Sequence, residues 1–171
     1  MKKTATLFLS LLLTASVLAK TPKVTTVVVV RHAEKTGPTG DVPLSDAGHA
    51  RAQELARQLA SAGVTAIYDT QFLRTQQTVE PLAAAIHLTP VVVQATATYA
   101  KDLARTIRGN NAGGTVVVAS HSNLVPELLK ELGIAQPPPI ADTQFDDLFI
   151  VTLVDGAPAR LLAMRYGVVA R

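Results

Sequence analysis

The stretch that decides the fold is Val24-Thr25-Thr26-Val27-Val28-Val29-Val30, which runs straight into Arg31-His32. Five β-branched valines with two threonines form a continuous apolar run, too short for a helix of ordinary length. A run of this kind reads as a strand buried on both faces, the pattern of a parallel sheet. A second such run, Thr115 to Ala119, ends in Ser120-His121-Ser122-Asn123. Two buried strands therefore each deliver a histidine at their carboxyl end.

Between and after these runs the period changes. Ser45 is placed as an N-cap for a helix reaching about Ala62, with Ala52, Leu55, Ala56, Leu59 and Ala60 on one face and Gly63 as the stop. A short strand over Thr65–Asp69 leads to a second helix beginning near Arg74, which Pro81 is expected to kink or restart. Val91–Gln94 reads as a third strand and Tyr99–Arg108 as a third helix. The segment from Gly109 to Gly114 is a loop by composition, and Asn123–Leu132 is a fourth helix. Beyond the Pro137-Pro138-Pro139 linker, Phe145–Val154 and Arg160–Tyr166 are expected to form a hairpin turning at Asp155-Gly156. Alternating strands and helices with short links predict one α/β domain, a three-layer sandwich around a mostly parallel central sheet.

The amino terminus has a different character. Lys2 and Lys3 precede an apolar run from Leu7 to Leu18 that ends in Val17-Leu18-Ala19. A charged start, a short apolar core and small residues before a cut are the layout of a secretory signal peptide. Residues 1–19 are thus expected to be a leader and residues 20–171 the working domain. The run falls short of the roughly 20 residues a spanning helix needs, so no stable membrane insertion is expected. The location is expected to be periplasmic or extracellular. The chain has no cysteine, which excludes disulfides and thiolate metal sites. Its formal charge of +3 owes two units to the leader, and no cluster of Lys and Arg suggests a nucleic-acid partner.

Ligands of open α/β sheets bind beyond the carboxyl ends of the strands. Arg31, His32 and His121 stand there, and Arg74 follows a third strand after a short link. Guanidinium forks suit phosphate oxygens, and the start of the helix at Asn123 offers N–H groups and a favourable dipole to an anion. A neutral imidazole is a competent nucleophile toward phosphorus. The residues thus point to a small phosphorylated substrate. Taken singly, each has a plainer reading as a structural histidine or a surface ion-pair partner. His49 and His87 fall away from this mouth and are given no role.

Arg31-His32-Ala33-Glu34 resembles the Arg-His-Gly-Glu signature of the histidine phosphatase superfamily, the phosphoglycerate mutase-like proteins. Three more landmarks match in order: Leu44-Ser45 with Gly48, Arg74-Thr75-Gln76-Gln77-Thr78, and Ser120-His121-Ser122-Asn123. The resemblance implies a phosphoglycerate mutase-like fold. It implies a phosphohydrolase acting on phosphomonoesters or phosphoramidates through a phosphohistidine on His32, with Arg31, Arg74 and His121 on the phosphoryl oxygens. Ser122 is expected to bind substrate, and Glu34 and Asn123 are further candidates. Pro38 stands where mutases carry an Asn, which favours hydrolysis over mutase chemistry. No carboxylate occurs from Leu88 to Ala100, where larger relatives place a general acid. Asp41, Glu80 and Glu127 are the possible substitutes. No cofactor and no metal are expected. The competing classes are a phosphate-binding or sensing protein without turnover, and a metal-dependent hydrolase with His32, Glu34 and His121 as ligands. The second is disfavoured because Arg31 and Arg74 repel a cation at short range.

Overall fold

The structure is a computed structural model that describes residues 21–167. The expected leader therefore lies outside the described residues. The chain order is β1 (Val24–Arg31), α1 (Asp46–Leu59), β2 (Val64–Thr70), α2 (Leu73–Ile86), β3 (Val91–Val93), α3 (Tyr99–Asn110), β4 (Thr115–Ser120), α4 (Leu124–Glu131), β5 (Asp147–Val154) and β6 (Arg160–Arg165). The strands form one six-stranded sheet in the order β3-β2-β4-β1-β5-β6. Strands β1 to β4 run parallel, and the β5–β6 hairpin adds two antiparallel strands at one edge.

The valine runs work as the sequence predicts. Side chains of β1 alternate between faces. Val27 and Val29 join Val116 and Val118 under Leu103 and Ile107 of α3 and Leu128 and Leu129 of α4. Val28 and Val30 join Val117 under Leu55 of α1 and Val79 and Leu82 of α2. The three layers are therefore α1 and α2, the sheet, and α3 and α4. In register, Arg31 pairs with Ser120, and the His32 N–H donates to the Ser120 carbonyl at 2.8 Å. The two histidine-bearing strand ends are thus fixed side by side.

Two local features organise the approach to this mouth. Ser45 caps α1 by accepting from the Gly48 N–H at 3.3 Å. A Cβ at Gly48 would lie 2.1 Å from the Glu34 carbonyl oxygen, so only glycine lets α1 press against the loop after β1. That close approach accounts for the Leu44-Ser45…Gly48 pattern.

Pro81 does not restart the helix. It lies inside α2, which continues to Ile86 without restarting. Proline inside a helix costs about 3 kcal/mol. Val79 and Leu82 on either side are fully buried, and burying two such side chains returns about 1.5–3 kcal/mol each. Tertiary burial outweighs the local rule.

Candidate active site

His32 immediately follows β1 and is 4% exposed. Its Nδ1 lies 2.8 Å from the Ala33 carbonyl oxygen. A carbonyl only accepts, so Nδ1 carries the proton and Nε2 keeps its lone pair. Burial, together with Arg31, His121 and Arg74, brings the pKa of His32 down to about 3 against the opposing pull of the Ala33 hydrogen bond. The ring is a neutral imidazole at ordinary pH. The Ala33 N–H is in turn held by Thr78 Oγ1 at 2.9 Å, and that hydroxyl donates to the Arg74 carbonyl at 2.7 Å. Thr78 thereby ties the loop after His32 to α2.

Arg31 is the last residue of β1, and its guanidinium is gripped from one side. Nη1 donates to the carbonyls of Ala141, Asp142 and Gln144 at 2.9, 2.9 and 3.0 Å, and Cζ lies 4.1 Å above the Phe145 ring. Burial lowers its pKa, opposed by Asp142. The chain after the proline linker thus supports Arg31 and brings Phe145 within 6.0 Å of the His32 ring. Arg74 sits in the first turn of α2, its Cζ 4.4 Å over Phe72. Nη1 lies 3.9 Å from Asp41 Oδ1. The Nε atoms of both arginines are buried and lack a hydrogen-bond partner.

His121 follows β4, with its ring 5.5 Å from that of His32 in an edge-on arrangement. Nδ1 lies 3.4 Å from Arg74 Nη2, and Nε2 lies 3.0 Å from Thr70 Oγ1. Burial, with Arg74 and Arg31, lowers its pKa to about 4. Arg31, His32, Arg74 and His121 line a single cleft of about 360 Å³ with Lys35, Phe72, Ala95, Ser122, Asn123 and Leu124. Three of these residues are cations and none carries a carboxylate.

The structure separates the remaining candidates. Ser122 and Asn123 reach the cleft. Asn123 stands at the N-cap position of α4 but makes no side-chain cap bond, which removes the capping explanation for it. The N–H groups of Leu124 and Val125 are taken by the His121 carbonyl, so the expected free amides of that helix start are partly used internally. Glu34 does not line the cleft. Its carboxylate takes Arg51 Nε at 2.9 Å and Nη2 at 2.7 Å, so it braces the loop against α1. Asp41 accepts from the Leu73 N–H at 2.8 Å, at the start of α2. Glu80 lines a separate cleft with Asp69 and Gln76, and Glu127 is exposed on α4. Phe72 and the hydroxyls of Thr70, Thr75 and Thr78 are site residues the sequence did not single out, although Thr75 and Thr78 lie in the Arg74 landmark.

Residues 27–97 match the family model described as histidine phosphatase superfamily (branch 1). Solved structures with the same fold include the protein histidine phosphatase SixA in complex with tungstate, at 21% identity and a TM-score of 0.64, covering 82% of this chain and 96% of that one. A mycobacterial glucosyl-3-phosphoglycerate phosphatase gives 16% identity and a TM-score of 0.66, covering 85% and 100%. A phosphoserine phosphatase from Entamoeba histolytica in complex with 3-phosphoglyceric acid gives 14% and 0.60, covering 84% and 98%. The fold is that of the phosphoglycerate mutase-like proteins.

Proposed function

We propose that the chain is an exported, metal-independent phosphatase that passes the phosphoryl group through His32 to water. The observation that carries this reading is the neutral His32 ring, its Nδ1–H anchored on Ala33 and its bare Nε2 in a cleft shared with Arg31, Arg74 and His121. Nε2 attacks phosphorus, the bond to the leaving oxygen or nitrogen breaks, and a phosphohistidine forms. Water then attacks that phosphorus, the P–N bond breaks, and Nε2 recovers its lone pair as inorganic phosphate leaves. Arg31 and Arg74 neutralise the equatorial oxygens, whose charge is spread in the transition state. Ser122 and Asn123 stand at the rim to contact the substrate. Both arginines beside His32 also disfavour a catalytic cation. Export rests on the Lys2–Ala19 pattern, and the mature amino terminus is expected at or near Lys20.

Labelled substrate quenched rapidly into alkali, where phosphohistidine survives, is expected to leave label on His32. The His32→Ala variant is expected to lose both label and turnover, while chelators leave the wild type active. Full turnover in His32→Ala, or activity restored only by added metal, overturns the reading.

A further inference from the structure

A row of hydroxyls runs from His121 into the protein. Thr70 and Thr75 are both fully buried. Thr75 Oγ1 has the Phe72 carbonyl at 2.8 Å and the Thr70 carbonyl at 3.1 Å, either of which takes its hydrogen. It is therefore an acceptor toward Thr70, whose Oγ1 lies 2.9 Å away and whose N–H also points to it at 3.1 Å. With its hydrogen given to Thr75, the Thr70 hydroxyl offers a lone pair to His121 Nε2 at 3.0 Å. At the other end of the ring, Arg74 can only donate, so Nδ1 accepts. All these hydrogens point one way, and they define a single tautomer of resting His121: proton on Nε2, lone pair on Nδ1.

That tautomer cannot donate from Nδ1 to a phosphoryl oxygen. To bind a phosphate dianion, Nδ1 must gain a proton, from solvent or from the phosphate monoanion, and the ring becomes an imidazolium. The Nε2–H···Thr70 bond survives this change and becomes charge-assisted, which strengthens it.

We propose that Thr70, backed by Thr75, is a positioning residue that holds His121 with Nδ1 toward the cleft and stabilises its protonated form when a phosphoryl group binds. The inference rests on the anion-binding part of the function proposed above. The groups bearing on His121 are Arg74 from α2 and Arg31 and His32 from the end of β1, with the Phe72 ring 5.3 Å away edge-on. The two arginines oppose imidazolium formation until an anion neutralises them. Asp69 adjoins Thr70 but projects to the opposite face of β2 by strand alternation.

The test is nitrogen NMR of histidine-labelled protein, with His121 assigned through His121→Gln, in the absence and presence of inorganic phosphate. In the free wild type, Nε2 is expected to be protonated and Nδ1 bare. With phosphate, both nitrogens are expected to be protonated near neutral pH. Thr70→Val removes the acceptor while keeping the shape. It is expected to lower the pKa of His121 in the phosphate complex by about one to two units and to weaken phosphate binding about tenfold to a hundredfold. Thr70→Ser is expected to restore both. Should Thr70→Val not fold, Thr70→Ala carries the same expectations. An unchanged His121 titration in the valine variant, or a serine variant as impaired as valine, overturns the proposal. Absence of phosphate binding to the wild type counts against the phosphatase reading instead. The free-state tautomer, expected to shift off Nε2 in Thr70→Val, then still decides the role of Thr70.

Discussion

His32 donates its Nδ1–H to the carbonyl of Ala33, its immediate neighbour in the chain, across 2.8 Å. The ring is therefore oriented by its own backbone, and no carboxylate is needed to fix the tautomer. The consequence is a ring buried without a counter-charge, flanked by two arginines and a second histidine.

That arrangement has a cost in acid. The folded-state pKa of His32 is about 3 and that of His121 about 4, each below the ordinary value of 6.5. Between those values and 6.5 the unfolded chain binds more protons than the folded one. Stability is therefore complete above about pH 6.5 and is lost as the pH falls toward 4, by at most about 1.4 kcal/mol per pH unit for each histidine. Urea melts from pH 7 to 4 are expected to show a shallower acid loss in His32→Asn and His121→Asn than in the wild type. Equal slopes in all three proteins would mean that neither ring is held neutral.

Arg74 is expected to be irreplaceable by lysine. Its guanidinium lies over Phe72 and reaches His121 with one nitrogen. An ammonium has neither the planar fork nor the stacking face. Arg74→Ala is expected to lower kcat/KM by about a hundredfold or more, consistent with the several kcal/mol for leaving a buried charged partner unpaired, and Arg74→Lys by at least about tenfold. Steady-state kinetics with near-normal values for the alanine variant would place Arg74 outside the reaction.

What the sequence made legible was what strong local patterns encode. Valine runs specified β1 and β4, and the residue after each run had to emerge at the carboxyl edge of the sheet, so His32 and His121 could be placed together before any coordinates. The Glu34–Arg51 pair spans 17 residues, and nothing in either residue's neighbourhood names its partner. The grip on Arg31 comes from backbone carbonyls more than 100 residues away, which carry no side-chain signature at all. Thr70 was hidden for another reason: a threonine in a strand is unremarkable until its hydroxyl is seen against His121. Pro81 does not end α2, because the burial of Val79 and Leu82 outweighs its local cost.

Glu34 is expected to matter for stability more than for chemistry. Arg51 is nearly buried, holds Glu34 with two nitrogens, and donates from Nη1 to the Tyr166 carbonyl at 2.7 Å. Breaking one side of a buried pair costs about 3–5 kcal/mol, and the partial exposure of Glu34 argues for the lower end. Arg51→Met is expected to lower Tm markedly, and Glu34→Gln to lower it less while keeping kcat/KM within about tenfold of wild type. A Glu34→Gln protein of normal Tm and abolished activity would return Glu34 to the reaction.

The choice of leaving group is the sharpest test of the cleft. The residues lining it include no carboxylate. Asp41 already accepts the Leu73 N–H and lies 3.9 Å from Arg74, so it is engaged at the start of α2. Glu80 belongs to another cleft, and Glu127 is on the outer face of α4. A placed general acid contributes about 10²–10⁴-fold. Without one, the departing atom leaves largely as an anion or carries its own proton. Acyl phosphates, aryl phosphates and phosphoramidates are then expected to be cleaved much faster than simple alkyl phosphates. Across a series of aryl phosphates, rates should rise steeply as the leaving-group pKa falls, provided phosphorylation of His32 limits turnover. Neutralising Asp41, Glu80 or Glu127 one at a time should leave that slope unchanged. A flat series, combined with a large loss of alkyl phosphate turnover in Asp41→Asn, would show instead that Asp41 swings in to protonate the leaving oxygen.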